Sequence, residues 1–220
     1  MEEVQAMIPS MDLEKFLKES GMTKSVDTLI VTQPKYVKAV QEFLTTTPIE
    51  DIKALVRWHT MADAAGILTE EIEVANWEFF AKYLKGAKTR RPADERALNT
   101  VNGTVGEALG QLYVDEKFPP EAKVKAEEMI ADVIKAYQNR IQKLDWMTDE
   151  TKAKAIEKLD KFTVKIGYPD KWEDFSKMEI AADKSYFDNM KAVGKWNKDK
   201  MMSEIGEPVD KSEWGMSPQT

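Results

Sequence analysis

The chain has 220 residues, 42% hydrophobic and 32% charged, with a formal net charge of −7, the balance of a soluble globular protein with a core. An acidic total with no dense basic cluster excludes the usual nucleic-acid surface, and the absence of cysteine excludes disulfides and thiolate metal sites. No apolar run approaches the ~18 residues of a membrane span, and the N-terminus shows no basic-then-apolar leader pattern.

Helical periodicity runs almost throughout. Ser10 is placed to cap a short helix carrying Leu13, Phe16 and Leu17, with Gly21 as its stop. Residues 28–32 (Thr-Leu-Ile-Val-Thr) are too short and β-branched for a helix and read as a strand. Pro34 opens a helix with Tyr36, Val37, Val40, Phe43 and Leu44 on one face. Thr47-Pro48-Ile49-Glu50 reads as a capping box, followed by a helix that aligns Ile52, Leu55, Val56 and His59. A further helix is expected from Thr69 to Leu84, with Ile72, Ala75, Phe79 and Tyr83 on one side.

Between Pro92 and Tyr113 the apolar stripe runs beside Gly103, Gly106 and Gly110. Three helical glycines cost about 1 kcal/mol each relative to alanine. Close approach of a neighbouring helix, 120–144 or 148–162, is the expected compensation. Pro119-Pro120 starts the longest helix, and Thr148 caps the next, with Asp149 and Glu150 in its first turn. Residues 163–166 alternate like a strand and break at Gly167, and pairing with 28–32 would make one short two-stranded element. Residues 186–220 read as a connector that begins helical and ends extended. The fold class is therefore all-α, a multi-helix domain with at most that β element.

A search for chemistry finds little. A single histidine rules out a two-histidine zinc helix. His59 and Asp63 share a helix face at i,i+4, and the favoured reading of His59 is a half-buried, locally bonded structural residue. No serine sits in a nucleophile-elbow context, and the Gly103/Gly106/Gly110 pattern lies within a helix instead of at a phosphate loop. Carboxylates such as Glu121 and Glu150 have lysines at i+4 and read as solvated pairs. No catalytic or metal-binding residue is assigned, and substrate-binding residues are unknown.

Residues 101–123, VNGTVGEALGQLYVDEKFPPEAK, and 144–180, LDWMTDETKAKAIEKLDKFTVKIGYPDKWEDFSKMEI, closely resemble the neprilysin and endothelin-converting-enzyme family of zinc metalloendopeptidases. The bacterial oligopeptidase O-type members look nearest. VTQPKYVKAV and ANWEFFAKYLKGAKTRRP resemble the same family's upstream helices, so the likeness covers nearly the whole chain. It implies that residues 1–185 are the helical, substrate-restricting domain and 186–220 a connector toward a catalytic domain. The segment EPVDKSEWGMSPQT resembles the end of that connector. The zinc helix, the downstream glutamate ligand and the transition-state histidine would lie beyond Thr220, so none transfers to a residue here.

In the family a zinc-bound water attacks the peptide carbonyl with a glutamate as base. The helical domain admits only short peptides by walling the chamber. The implied partners are the catalytic domain of the same polypeptide and peptide substrates, with no nucleic acid and no membrane contact from this segment. No cofactor belongs to this chain, and zinc belongs to the full-length parent. The orphaned interdomain face should leave apolar surface exposed. The alternative is an independent helical interaction protein descended from such a peptidase, without catalysis. The compartment stays open between cytoplasmic and extracytoplasmic.

Overall fold

The structure is a computed structural model that describes residues 1–26 and 28–219. Those residues form nine α-helices, one 3-10 turn and one π-helical turn, with no strand among them. The chain divides into two units, residues 1–91 with 176–208 and residues 92–175 with 209–220.

The first unit opens with α1 (Glu2–Met7), which the sequence reading did not anticipate, and α2 (Leu13–Glu19). Gln5 ties the two together. Its amide donates to the carbonyl of Met11 at 2.7 Å and its Oε1 accepts from the Leu13 amide at 3.0 Å, which buries Ile8 and Leu13. Asp12, not Ser10, caps α2 by accepting from the Lys15 amide. Ser10 instead donates through its amide and hydroxyl to Gln41 Oε1 on α3 (Pro34–Thr46). Gly21, with φ +94°, ends this region in the left-handed conformation its stop position requires.

The expected strand at 28–32 is not formed. Ile30 is 90% exposed, and a strand with no partner ladder leaves its amides and carbonyls to water. The capping box at 47–50 is also absent. Thr47 serves as the C-cap of α3, its amide bonded to the Phe43 carbonyl, while Glu50 pairs with Lys53 at 2.8 Å in α4 (Ile49–Ala64). With only Thr47 and Pro48 between the two helices, Thr47 closes the first and Pro48 stands at the N-cap of the second.

The helix expected from Thr69 to Leu84 is two elements: α5 (Glu70–Asn76) and a π-helical turn, Trp77–Tyr83. Such a turn carries one more residue per hydrogen-bonded loop than the α-helix. Within it Phe79 and Phe80 meet edge to face with centroids 5.0 Å apart, and Phe79 stacks on Tyr83 at 6.0 Å. Arg90 pairs with Glu73 and, at 3.7 Å, with Glu70. The unit closes with α9 (Tyr186–Ser203), capped by Ser185. Asn189 clamps the backbone of Ala181, its Oδ1 accepting from the Ala181 amide and its Nδ2 donating to the Ala181 carbonyl; α9 buries Val193 and packs on the 3-10 turn at Ala65–Ile67.

The second unit contains α6 (Ala93–Lys117), α7 (Pro120–Gln142) and α8 (Asp149–Asp160). Thr148 caps α8 as expected, accepting from the Thr151 amide. The alternating segment 163–166 forms no strand either. Val164 is 46% exposed, and Lys165 reaches the Glu213 carbonyl.

Little of the apolar content is covered. Leu55, Val56, Trp58, Leu112, Met129, Tyr137 and Trp146 are all more than 40% exposed, although most lie on the apolar faces that the helical periodicity marks. Among the described residues, the faces that the periodicity marks as apolar thus stay largely open to solvent.

Candidate functional site

The motifs that carry the family resemblance meet in the second unit. The turn between α6 and α7 presents Phe118, and the segment after α8 returns Gly167-Tyr168-Pro169-Asp170 to it. Gly167 has φ +73°, and a Cβ there would stand 2.7 Å from Phe118 Cε1. Only glycine accepts both the backbone angle and the contact. Phe118 then meets Tyr168 edge to face at 5.9 Å, and Tyr168 stacks on Trp172 at 5.9 Å with 9° between the planes.

Lys123, one turn into α7, locks this turn. Its side chain is only 15% exposed. The ammonium donates to the Tyr168 carbonyl at 2.9 Å and to Asp170 at 2.7 Å, and lies 4.4 Å from the Tyr168 ring centroid. The FPPEAK and GYPDKW stretches are thus two halves of one lysine–aromatic clasp. Glu107, inside VGEALG, adds a third stretch by accepting from the Glu173 amide at 2.7 Å.

The glycines of α6 face a different partner from the expected helices. A Cβ at Gly110 would meet Pro218 Cδ at 2.6 Å and Gln219 Oε1 at 2.9 Å. One at Gly106 would meet Ser217 Cβ at 3.3 Å, and one at Gly103 would meet nothing within 4 Å. Close packing is real at Gly106 and Gly110 and absent at Gly103, and the neighbour is the non-helical segment 217–219, a turn at Pro218–Gln219, instead of α7 or α8.

His59 and Asp63 lie exposed on α4, so the half-buried packing expected of His59 is not found. α4 turns that stripe outward, with Leu55 and Val56 also uncovered. Among the described residues no group of three or more His, Cys, Asp or Glu side chains could hold a metal ion. The donor set does not fit zinc, and no chemical step is assigned to it here. Sequence reasoning missed Asn102, Glu107, Lys123 and Gln219, because each acts across a distance of more than 40 residues. The available signal was their place inside the motif stretches.

Neutral endopeptidase of Lactobacillus helveticus is 29% identical over 215 residues, 97% of this chain and 33% of that protein. Human neprilysin is 29% identical over 194 residues, 84% of this chain and 26% of its own length. The cryo-EM structure of Mycobacterium tuberculosis zinc metalloprotease Zmp1 in the open state matches with a TM-score of 0.88 and 33% identity, covering 100% of this chain and 34% of that one. The chain spans about a third of the length of these relatives or less. The model of the N-terminal region of Peptidase family M13 matches residues 1–169, a span that includes Phe118, Lys123 and Tyr168 of the clasp, and on that match the chain belongs to Peptidase family M13.

Proposed function

We propose that this chain is the non-catalytic helical domain of a zinc-dependent metalloendopeptidase that hydrolyses short peptides. Residues 1–185 wall the substrate chamber and scaffold the catalytic domain, and 186–220 lead toward it. The zinc ligands and every bond-making residue belong to the remainder of the polypeptide. What carries this reading is the uncovered apolar surface, Trp58, Leu112 and Tyr137 among it, on a chain that aligns along its whole length with a third of a zinc metalloprotease. Burial of such surface stabilises by about 25 cal/mol per Å² removed from water, so a large covering domain is what these helices need.

The test is reconstitution. The reading frame downstream of Thr220, carrying an Asn-Ala-Tyr/Phe-Tyr and a His-Glu-x-x-His stretch, is co-expressed with this chain. The expected result is a stable complex with one zinc in the downstream part, cleaving short peptides far faster than long ones. This chain alone retains no stoichiometric zinc after dialysis against a weak chelator. Zinc bound by this chain alone, or a downstream domain whose length selectivity is indifferent to it, refutes the reading. An independent interaction protein would instead have no such reading frame.

A further inference from the structure

Helix α6 is broken at one place. Val105 has φ −131° and ψ 40°, outside the helical region, between two helical halves. Sharp bends in helices come from proline, glycine or serine pairs, π-bulges, or a group inserted into the hydrogen-bond ladder. Proline is absent from 93–117. Thr104 back-bonds to the Thr100 carbonyl at 2.8 Å, which favours a slight bend, and Gly106 permits a larger one. A group from outside the helix reaches the backbone beside this bend: the side-chain amide of Gln219. Its Nε2 donates to the Gly106 carbonyl at 2.9 Å and to Asn102 Oδ1 at 2.8 Å. In an unbroken helix the Gly106 carbonyl would serve the Gly110 amide.

We propose that residues 217–219 are a latch, and that the Gln219 amide holds α6 in its bent form. The geometry fixes which way the amide faces. Both acceptors sit on the Nε2 side, so Oε1 points to Gly110, where a Cβ would approach it to 2.9 Å. Pro218 fills the rest of the groove against Gly110. Upstream, the Lys165 ammonium holds the Glu213 carbonyl, and Asp210 accepts from the Ser212 amide and hydroxyl, so the approach to the latch is itself tied down. α6 is therefore a two-state element, bent when the latch is seated and straight when it is not. This inference does not rest on the peptidase reading.

Gln219→Glu tests it in the full chain. The substitution keeps the shape, removes both donors, and sets a carboxylate against two acceptor oxygens. Two nuclear magnetic resonance signals report: the Pro218 Hδ to Gly110 Hα contact, and the Val105 ¹³Cα shift, which separates helical from non-helical backbone. In the unaltered chain the contact is present and the Val105 shift is non-helical. In Gln219→Glu the contact disappears and the Val105 shift moves into the range of Val101 and Val114. A chain ending at Pro208 gives the same shift without any side-chain substitution, and Asn102→Asp, which keeps an acceptor, changes neither signal. Persistence of the contact in Gln219→Glu shows that the amide is not the latch. Loss of the contact with Val105 still non-helical, in either released chain, shows that the bend belongs to α6 itself. Either result overturns the proposal.

Discussion

Alanine at Gly103, Gly106 and Gly110 makes one graded experiment, because the same chemical change meets three different neighbourhoods on one helix. Each substitution gains about 1 kcal/mol of helix propensity. At Gly103 nothing lies within 4 Å, so that gain stands alone and the protein is stabilised. At Gly106 the new methyl sits 3.3 Å from Ser217 Cβ, a contact relieved by a few tenths of an ångström in a short side chain, and the result is near neutral. At Gly110 it sits 2.6 Å from Pro218 Cδ and 3.1 Å from Pro218 Cγ. A proline ring cannot rotate aside, so the overpacking cost of about 1–3 kcal/mol cancels or exceeds the gain. The gap between Gly103→Ala and Gly110→Ala is thus about 1–3 kcal/mol. At about 2–4 °C per kcal/mol for a chain of this size, Gly103→Ala melts a few degrees higher than Gly110→Ala in circular dichroism. Gly110→Ala stabilising as much as Gly103→Ala refutes the packing account of these glycines.

Three further expectations follow from the geometry. Lys123→Met keeps the buried stem but strands the Tyr168 carbonyl, and destabilises by about 1.5–3 kcal/mol in urea denaturation. Asp170→Asn, at a side chain 96% exposed, changes stability by no more than about 0.5 kcal/mol, and equal losses would show that the ion pair, not the carbonyl, matters. His59→Gln, at an exposed position, shifts stability by less than about 0.5 kcal/mol, and a larger loss in the same assay would restore a structural role. The hydrogen bond from Lys24, aided by its charge, holds the Glu207 carboxyl below its ordinary range. A lowered folded value means the tie is fully present above about pH 4.3, the unfolded glutamate value, and is lost as pH falls through the folded one. Carbon-detected titration checks this, with Lys24→Gln expected to bring the Glu207 midpoint back up.

The helices were legible in the sequence because their signals are local. Pro34, Pro120 and Thr148 fix starts through a missing or satisfied first-turn amide, and the apolar spacing of residues 120–144 needs no distant partner to be read. The strand expectations at 28–32 and 163–166 failed because β-branched composition says only that a segment suits a ladder, while the ladder depends on a second edge. Capping went astray at Ser10 because a tertiary neighbour, Gln41, takes its hydroxyl, and at Thr47 because that residue closes α3 through its backbone amide. The glycine spacing announced close packing, but nothing in a periodicity names the partner, and the groove on α6 accepts a turn more than 100 residues away. What the sequence determined by itself was the helical class, the family likeness and the lack of a zinc-binding helix. The tertiary structure alone decided the bend at Val105, the clasp around Lys123 and which apolar faces stay uncovered, because each depends on contacts between residues far apart in the chain.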